Sequence, residues 1–407
     1  MVGFIAVQAI CTIGLVALAL EIGARYVLID DRIEWPMRHH PSVGTTFRPN
    51  SAVTWTNGLD FRVSERTNEA GFLDRALPPI ERRPGSCRIA FIGDSFVEAA
   101  QVQIPQKVQV QLQHLLASRA PDMLVETMAV GFSGTGQLNQ LGYLEAWVRP
   151  RRPDLIVLVA VGNDFGNNSA LLEALRTGWH PHHTPRVFAT ETADGIRLQP
   201  VDPDFQKHLL SFATNSPPRR LHAWLHKQSR FYRWLYSKAK LQHPAVARAM
   251  TSELNPAEQM AERVVAMTKL DPEHARLLKD WEIARHPNPD DVFATQGPLP
   301  AAFEQALRFT DFAFGEMQAR AQADGTRLMV LGIHRLKKVF EHRLIGILAR
   351  HGIPYVALFE HISRRGGDPV AAHFKHDGHW SSQGHLWAAE AVMEHMLREA
   401  ICDTNRG

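Results

Sequence analysis

The sequence predicts an α/β fold built on a parallel sheet, and three observations predict it. Short apolar runs rich in β-branched residues recur at 88–92, 123–129, 155–161, 327–333 and 354–359. Stretches with helical apolar spacing lie between most of them, and repeated β–α alternation implies parallel strands with helices on both faces. The run Leu155-Ile156-Val157-Leu158-Val159-Ala160-Val161 is apolar throughout, as a strand covered on both faces must be.

The elements follow in chain order. Residues 2–20 carry no charge, just enough for a bilayer-spanning helix, so residues 1–30 are expected to be a transmembrane signal anchor. A cleaved signal is the second reading and a buried core helix the third. Flanking charge orients the segment poorly, because Arg25, Arg32 and Arg38 are interspersed with Glu21, Asp30, Asp31 and Glu34. Residues 31–86 read as a β-rich lead-in. Its alternating runs, Ala52-Val53-Thr54-Trp55 and Phe61-Arg62-Val63-Ser64, flank an Asn57-Gly58 turn.

The first α/β block spans residues 87–168. Arg88-Ile89-Ala90-Phe91-Ile92 is a buried strand that ends in Gly93-Asp94-Ser95. A helix from about Gln106 puts Val108, Leu112, Leu115 and Leu116 on one face. The second strand runs into a glycine-rich turn, Gly131-Phe132-Ser133-Gly134-Thr135-Gly136, and the third ends in Gly162-Asn163-Asp164. The rhythm then stops, and residues 169–302 read as a mostly helical insertion, a lid or substrate wall. It resumes over 303–407 with a helix near 303–323, a strand, a helix near 336–350, and a strand at 354–359. His376-Asp377-Gly378-His379-Trp380-Ser381 then precedes the last helix.

Composition excludes several classes. A net charge of +3 over 407 residues is no nucleic-acid footprint, and no recognition motif is visible. Three cysteines make no disulfide framework and no zinc spacing. Cys87 and Cys402 could meet in an oxidising compartment, or remain two thiols.

Four loops at strand ends, or just before the closing helix, bear Ser95, Gly134, Asn163 and Asp377 with His379. Ester cleavage needs a nucleophile, a base, an orienter for the base, and donors for the oxyanion. Ser95 supplies the first, His379 the second and Asp377 the third. The backbone N–H groups of Ser95 and Gly134 and the side-chain amide of Asn163 supply the donors. Each has a duller reading: Ser95 or Asn163 as a helix cap, Gly134 as a turn glycine. Asp94 reads as shaping the serine turn, and His385 as packing or capping in the last helix. The run Trp179-His180-Pro181-His182-His183 suggests metal, but without a partner pattern it reads as surface loop. Residues 221–241 interleave Trp224, Phe231, Tyr232, Trp234 and Tyr236 with Lys227, Arg230, Arg233, Lys238 and Lys240. Such a helix packs on the catalytic part with a solvated basic face, or rests on a membrane surface or acidic glycan.

In order and spacing, Gly93-Asp94-Ser95, Ser133-Gly134, Gly162-Asn163-Asp164 and Asp377-Gly378-His379 resemble the blocks of the SGNH (GDSL-type) hydrolase family. The segment Thr67-Asn68-Glu69-Ala70-Gly71-Phe72 resembles the lead-in of its membrane-anchored bacterial members. The resemblance implies a flavodoxin-like three-layer α/β/α fold, hydrolysis of acyl esters, and no metal or organic cofactor. With the apolar leader it implies a periplasmic catalytic part on the bacterial inner membrane. One departure bears on substrate. The acid stands two residues before the histidine rather than three, a form that resembles members acting on polysaccharide O-acetyl groups. A short acyl ester on cell-envelope carbohydrate is the substrate this implies. A lysophospholipase or thioesterase, and a non-catalytic envelope scaffold, are the rival readings.

Overall fold

The computed structural model describes residues 2–28, 33–177, 186–201, 217–251, 255–333 and 338–402. The histidine run at 180–183 lies outside them. Helix α1 (Val2–Val27) opens the chain. Two hairpins form the lead-in: β1 (Met37–His40) with β2 (Gly44–Phe47), and β3 (Ala52–Thr56) with β4 (Arg62–Arg66). Then come β5 (Ser86–Gly93), a one-turn helix α2 (Ser95–Glu98), α3 (Val108–Arg119), β6 (Leu124–Gly131), α4 (Gln137–Tyr143), β7 (Leu155–Ala160) and α5 (Asp164–Asn167).

The insertion contributes α6 (Ala170–Thr177), a hairpin of β8 (Ala189–Thr192) with β9 (Gly195–Leu198), and six further helices: α7 (Pro217–Gln228), α8 (Arg230–Gln242), α9 (Pro244–Thr251), α10 (Pro256–Leu270), α11 (Pro272–Leu277) and α12 (Pro289–Val292). The chain closes with α13 (Ala301–Ala323), β10 (Arg327–Gly332), α14 (Lys338–Arg350), β11 (Tyr355–Ala357), α15 (Leu358–Arg364), β12 (His373–Phe374), β13 (Asp377–Trp380) and α16 (Ser382–Arg398).

Five strands form one parallel sheet in the order β11-β10-β7-β5-β6. Counted along the chain this is 2-1-3-4-5, the doubly wound order of flavodoxin-like sheets. Alternation divides each strand between two apolar layers. Ala90, Ile92, Met128, Val130, Ile156 and Leu158 face one layer, with Leu138 of α4 and Phe303, Phe309 and Phe314 of α13. Ile89, Phe91, Val157 and Val159 face the other, with Val108, Leu112 and Leu116 of α3 and Ala388, Val392 and Met396 of α16. The lead-in shares the first layer through Val43, Phe47, Val53 and Phe72. The Asp74 carboxylate accepts from the Ala129 N–H at 2.8 Å.

Three expectations change. The segment 354–359 is strand only over Tyr355–Ala357, and Leu358 already begins α15. The stretch around His376 is a two-stranded hairpin, β12–β13. The apolar leader is helical, but among the described residues no helix is long and apolar enough to cross a membrane.

A disulfide joins Cys87, at the start of β5, to Cys402, just past α16. It fastens the end of the chain to the first strand of the sheet across 315 residues. Removing a cross-link over so long a loop releases the unfolded chain. Cys402→Ser is expected to lower the unfolding free energy by about 2–5 kcal/mol. A urea titration reads this, and equal midpoints for wild type and variant would contradict it.

Candidate active site

The site stands at the carboxyl edge of the sheet, where open parallel sheets bind ligands. Gly93 and Gly131 are register partners at the ends of β5 and β6. A Cβ on Gly93 would meet Val97 Cγ2 at 2.6 Å, and one on Gly131 would meet Val97 Cβ at 2.8 Å. Two bare strand ends therefore let α2 dock directly on the sheet. Asp94 caps α2 by accepting from the Phe96 N–H at 3.0 Å. Ser95 is the first residue of that turn, where an N–H has no helical acceptor ahead of it.

The opposite wall comes from β13. Asp377 and His379 alternate along this short strand, so both side chains point to the same face. His379 Nδ1 is 2.5 Å from Asp377 Oδ1, and its Nε2 is 2.8 Å from Ser95 Oγ. Asp377 Oδ1 also accepts from the His379 N–H at 2.9 Å. The imidazole stacks on Phe96, ring centroids 4.9 Å apart.

Gly134 and Asn163 complete the rim, both lining a cleft of about 470 Å³ with Ser95 and His379. Gly134 has φ +68°, which disfavours any side chain, and a Cβ there would meet Arg186 Nη2 at 2.9 Å. Asn163 Nδ2 lies 3.5 Å from Asp94 Oδ2, which engages one of its two amide hydrogens and leaves the second for a ligand.

The acids around the imidazole divide by environment. Burial pushes Asp94 up. Burial also raises Asp164, helped by the nearby Asp94. Burial lifts Glu98 to about 7 against two hydrogen bonds from Ser133. Burial opposes charge on Asp377 as well, but the His379 hydrogen bond and charge outweigh it and hold this carboxyl below its usual range. Burial disfavours the His379 cation, yet the Asp377 hydrogen bond and the charges of Asp377, Asp94 and Glu98 raise its pKa above 6.5. Asp377 is therefore the carboxylate that stays ionised beside the ring. His385, pushed down to about 3 chiefly by burial, packs in an edge-on contact on Trp380.

Sequence reasoning missed several residues here. Buried Glu98 accepts from the Ser133 N–H and hydroxyl, both at 2.8 Å, and so holds the turn that carries Gly134. The same cleft is lined by Trp35 and Trp55 of the lead-in and by Arg176 and Arg186 of the insertion. Asp60 bonds His376, next in sequence to Asp377. The three-residue spacing from Ser95 to Glu98 put both on one helical face, a signal available in the sequence. Nothing local marked the others. Among the described residues the one cluster with metal-ligand spacing is Cys87, Asp154 and Cys402, and its two sulfurs are bonded to each other.

A base must be neutral to accept a proton, so a raised pKa keeps the ring protonated to higher pH. The acid limb of kcat/KM on a neutral ester is expected to have its midpoint above 6.5. Asp377→Asn is expected to move that midpoint down and to lower kcat by about 10³–10⁴-fold. Initial rates between pH 5 and 9 measure both, and an unmoved limb in the variant would contradict the arrangement.

No family model matches the chain, and no curated protein matches it. Among solved structures it is similar to TesA, at 12% identity and a TM-score of 0.34 over 76% of this chain and 97% of that one. It is similar to a putative lipolytic protein of the G-D-S-L family from Desulfitobacterium hafniense, at 9% identity and a TM-score of 0.32 over 76% and 99%. It is also similar to Axe2, an acetylxylan esterase from Geobacillus stearothermophilus, at 9% identity and a TM-score of 0.36 over 77% and 96%. At these values the chemistry rests on the side-chain geometry alone.

Proposed function

We propose that this chain is a serine esterase that cleaves, or transfers, acyl groups from oxygen esters. The observation that carries the reading is the unbroken hydrogen-bonded chain from Ser95 Oγ through His379 to Asp377. Ser95 Oγ attacks the acyl carbon while His379 Nε2 takes its proton. The carbonyl oxygen becomes an oxyanion, received by the N–H groups of Ser95 and Gly134 and the Asn163 amide. Collapse expels the alcohol, which takes the proton back from His379 and leaves acyl-Ser95. Water, or a second hydroxyl, then loses its proton to His379 and attacks the acyl group. Ser95 is regenerated with the same proton. Asp377 holds the ring and stabilises its cationic form throughout.

The substrate class in this reading is a short acyl ester, an O-acetyl group on cell-envelope carbohydrate. It is supported by the Asp-x-His-Trp block and by a cleft lined by the rings of Trp35 and Trp55. The location is an oxidising compartment, the bacterial periplasm, with α1 as the attachment to the inner membrane. The Cys87–Cys402 bond supports the first part, since such bonds persist outside the cytosol. The exposed apolar side chains Ile13, Leu15, Val16 and Leu18 support the second.

The test is hydrolysis of p-nitrophenyl acetate and longer acyl homologues by wild type, Ser95→Ala and His379→Ala. The reading expects cleavage by wild type only, with kcat in each variant down by about 10³-fold or more, and acetate preferred to octanoate. Equal rates in all three would sink the esterase. Ser95-dependent preference for long chains would instead favour a lipid substrate in the aromatic-walled cleft.

A further inference from the structure

We propose that Asp60, in the lead-in, is a positioning residue that clamps the hairpin carrying Asp377 and His379. The proposal rests on the esterase reading for its effect on rate. Asp60 lies in the turn between β3 and β4. His376 occupies the turn of the β12–β13 hairpin, one residue before Asp377 and 316 residues away in sequence. Asp60 Oδ1 is 2.7 Å from His376 Nδ1, and Oδ2 accepts from the His376 N–H at 2.8 Å. The carboxylate thus grips both the ring and the backbone of a single residue.

The clamp is itself braced. Asn57 Nδ2 donates to Asp60 Oδ2 at 3.0 Å, and Asn57 Oδ1 accepts from the Asp60 N–H at 2.8 Å. Next in sequence, Phe61 packs on Phe374 of β12, ring centroids 4.8 Å apart. The charge-bearing contact and the apolar contact fasten the same pair of turns together.

The hairpin needs such a tie. Its ladder joins only His373 with Trp380 and Phe374 with Asp377, and the register shifts between them. A two-stranded ribbon is marginal by itself. Its far end is secured where Trp380 is buried and Ser381 caps α16. Its turn end, nearest Asp377, is secured by Asp60. Drift of a base by about 1 Å can lower turnover about 10²-fold.

The clamp also has an electrostatic reach. The Asp60 charge opposes ionisation of Asp377. The groups facing His379 are Asp377 on its own strand, Asp94 and Glu98 from the β5–α2 side, and His385 from α16. Asp60 and His376 lie behind Asp377. Removing the Asp60 carboxylate frees the hairpin turn, so that Asp377 holds the ring less tightly. The Asp377 hydrogen bond is the first of the causes that raise the pKa of His379, and its loosening lowers that pKa.

The test compares full-length wild type, Asp60→Asn, His376→Gln and the double variant. Asp60→Asn keeps the shape of the side chain, and thermal melts establish that each variant folds. Turnover of p-nitrophenyl acetate is expected to fall about tenfold or more in each single variant with KM within about twofold, and the double is expected to be no slower than the slower single. The acid limb of kcat/KM is expected to shift to lower pH in Asp60→Asn. A folded Asp60→Asn with unchanged kcat and pH limb, or additive losses in the double, would overturn the clamp. Imidazole NMR titration of His379 separates this from the esterase reading. If wild type shows no Ser95-dependent cleavage, that reading fails and the titration alone decides: a lower midpoint in Asp60→Asn upholds the clamp, and an equal midpoint overturns it.

Discussion

The whole arrangement depends on one hydrogen bond that spans 284 residues of chain, from His379 Nε2 to Ser95 Oγ. Nothing local could make it. The serine is delivered by the first strand of the sheet and the imidazole by a hairpin just before the last helix. They meet because α16 packs on the same face of the sheet as α3, behind β5, so the residues leading into α16 pass over the strand's carboxyl end. The disulfide from Cys87 to Cys402 ties the outer ends of the same two elements together. Close approach on the serine side is a matter of missing atoms: without side chains at Gly93 and Gly131, Val97 settles between two strand ends.

Charge then decides which of several acids serves the imidazole. Asp94, Glu98, Asp164 and Asp377 all lie near the carboxyl edge, and proximity alone would not separate them. Burial favours the neutral form of the first three, whereas the direct hydrogen bond to His379 keeps Asp377 ionised. The Glu98 carboxyl has a second task, fixing Ser133 so that Gly134 faces the cleft. One turn of helix thus carries both the proposed nucleophile and the anchor of the proposed oxyanion loop.

Much of the sheet was legible because a strand covered on both faces is apolar along its covered length, as residues 89–92 of β5, all of β7 and residues 328–331 of β10 are. The site loops were legible because glycine and small polar residues punctuate those runs at the strand ends. Strand β11 was misread over Leu358 and Phe359 because a short apolar run has no period to distinguish strand from helix. The β12–β13 hairpin was missed because polar His373, Asp377 and His379 mask any alternation. The pairing of Cys87 with Cys402, the grip of Asp60 on His376, and the contribution of Arg186 to the cleft are contacts across long separations. No spacing in a single sequence encodes them.

The central claim is that Ser95 is made nucleophilic by His379. Fluorophosphonate labelling followed by peptide mass spectrometry tests this most directly, since phosphonylation needs an activated hydroxyl and no particular acyl substrate. The account predicts one adduct, on the peptide containing Ser95, formed readily by wild type and suppressed in His379→Ala. An unlabelled wild-type Ser95, or a Ser95 labelled equally fast without the imidazole, would contradict it.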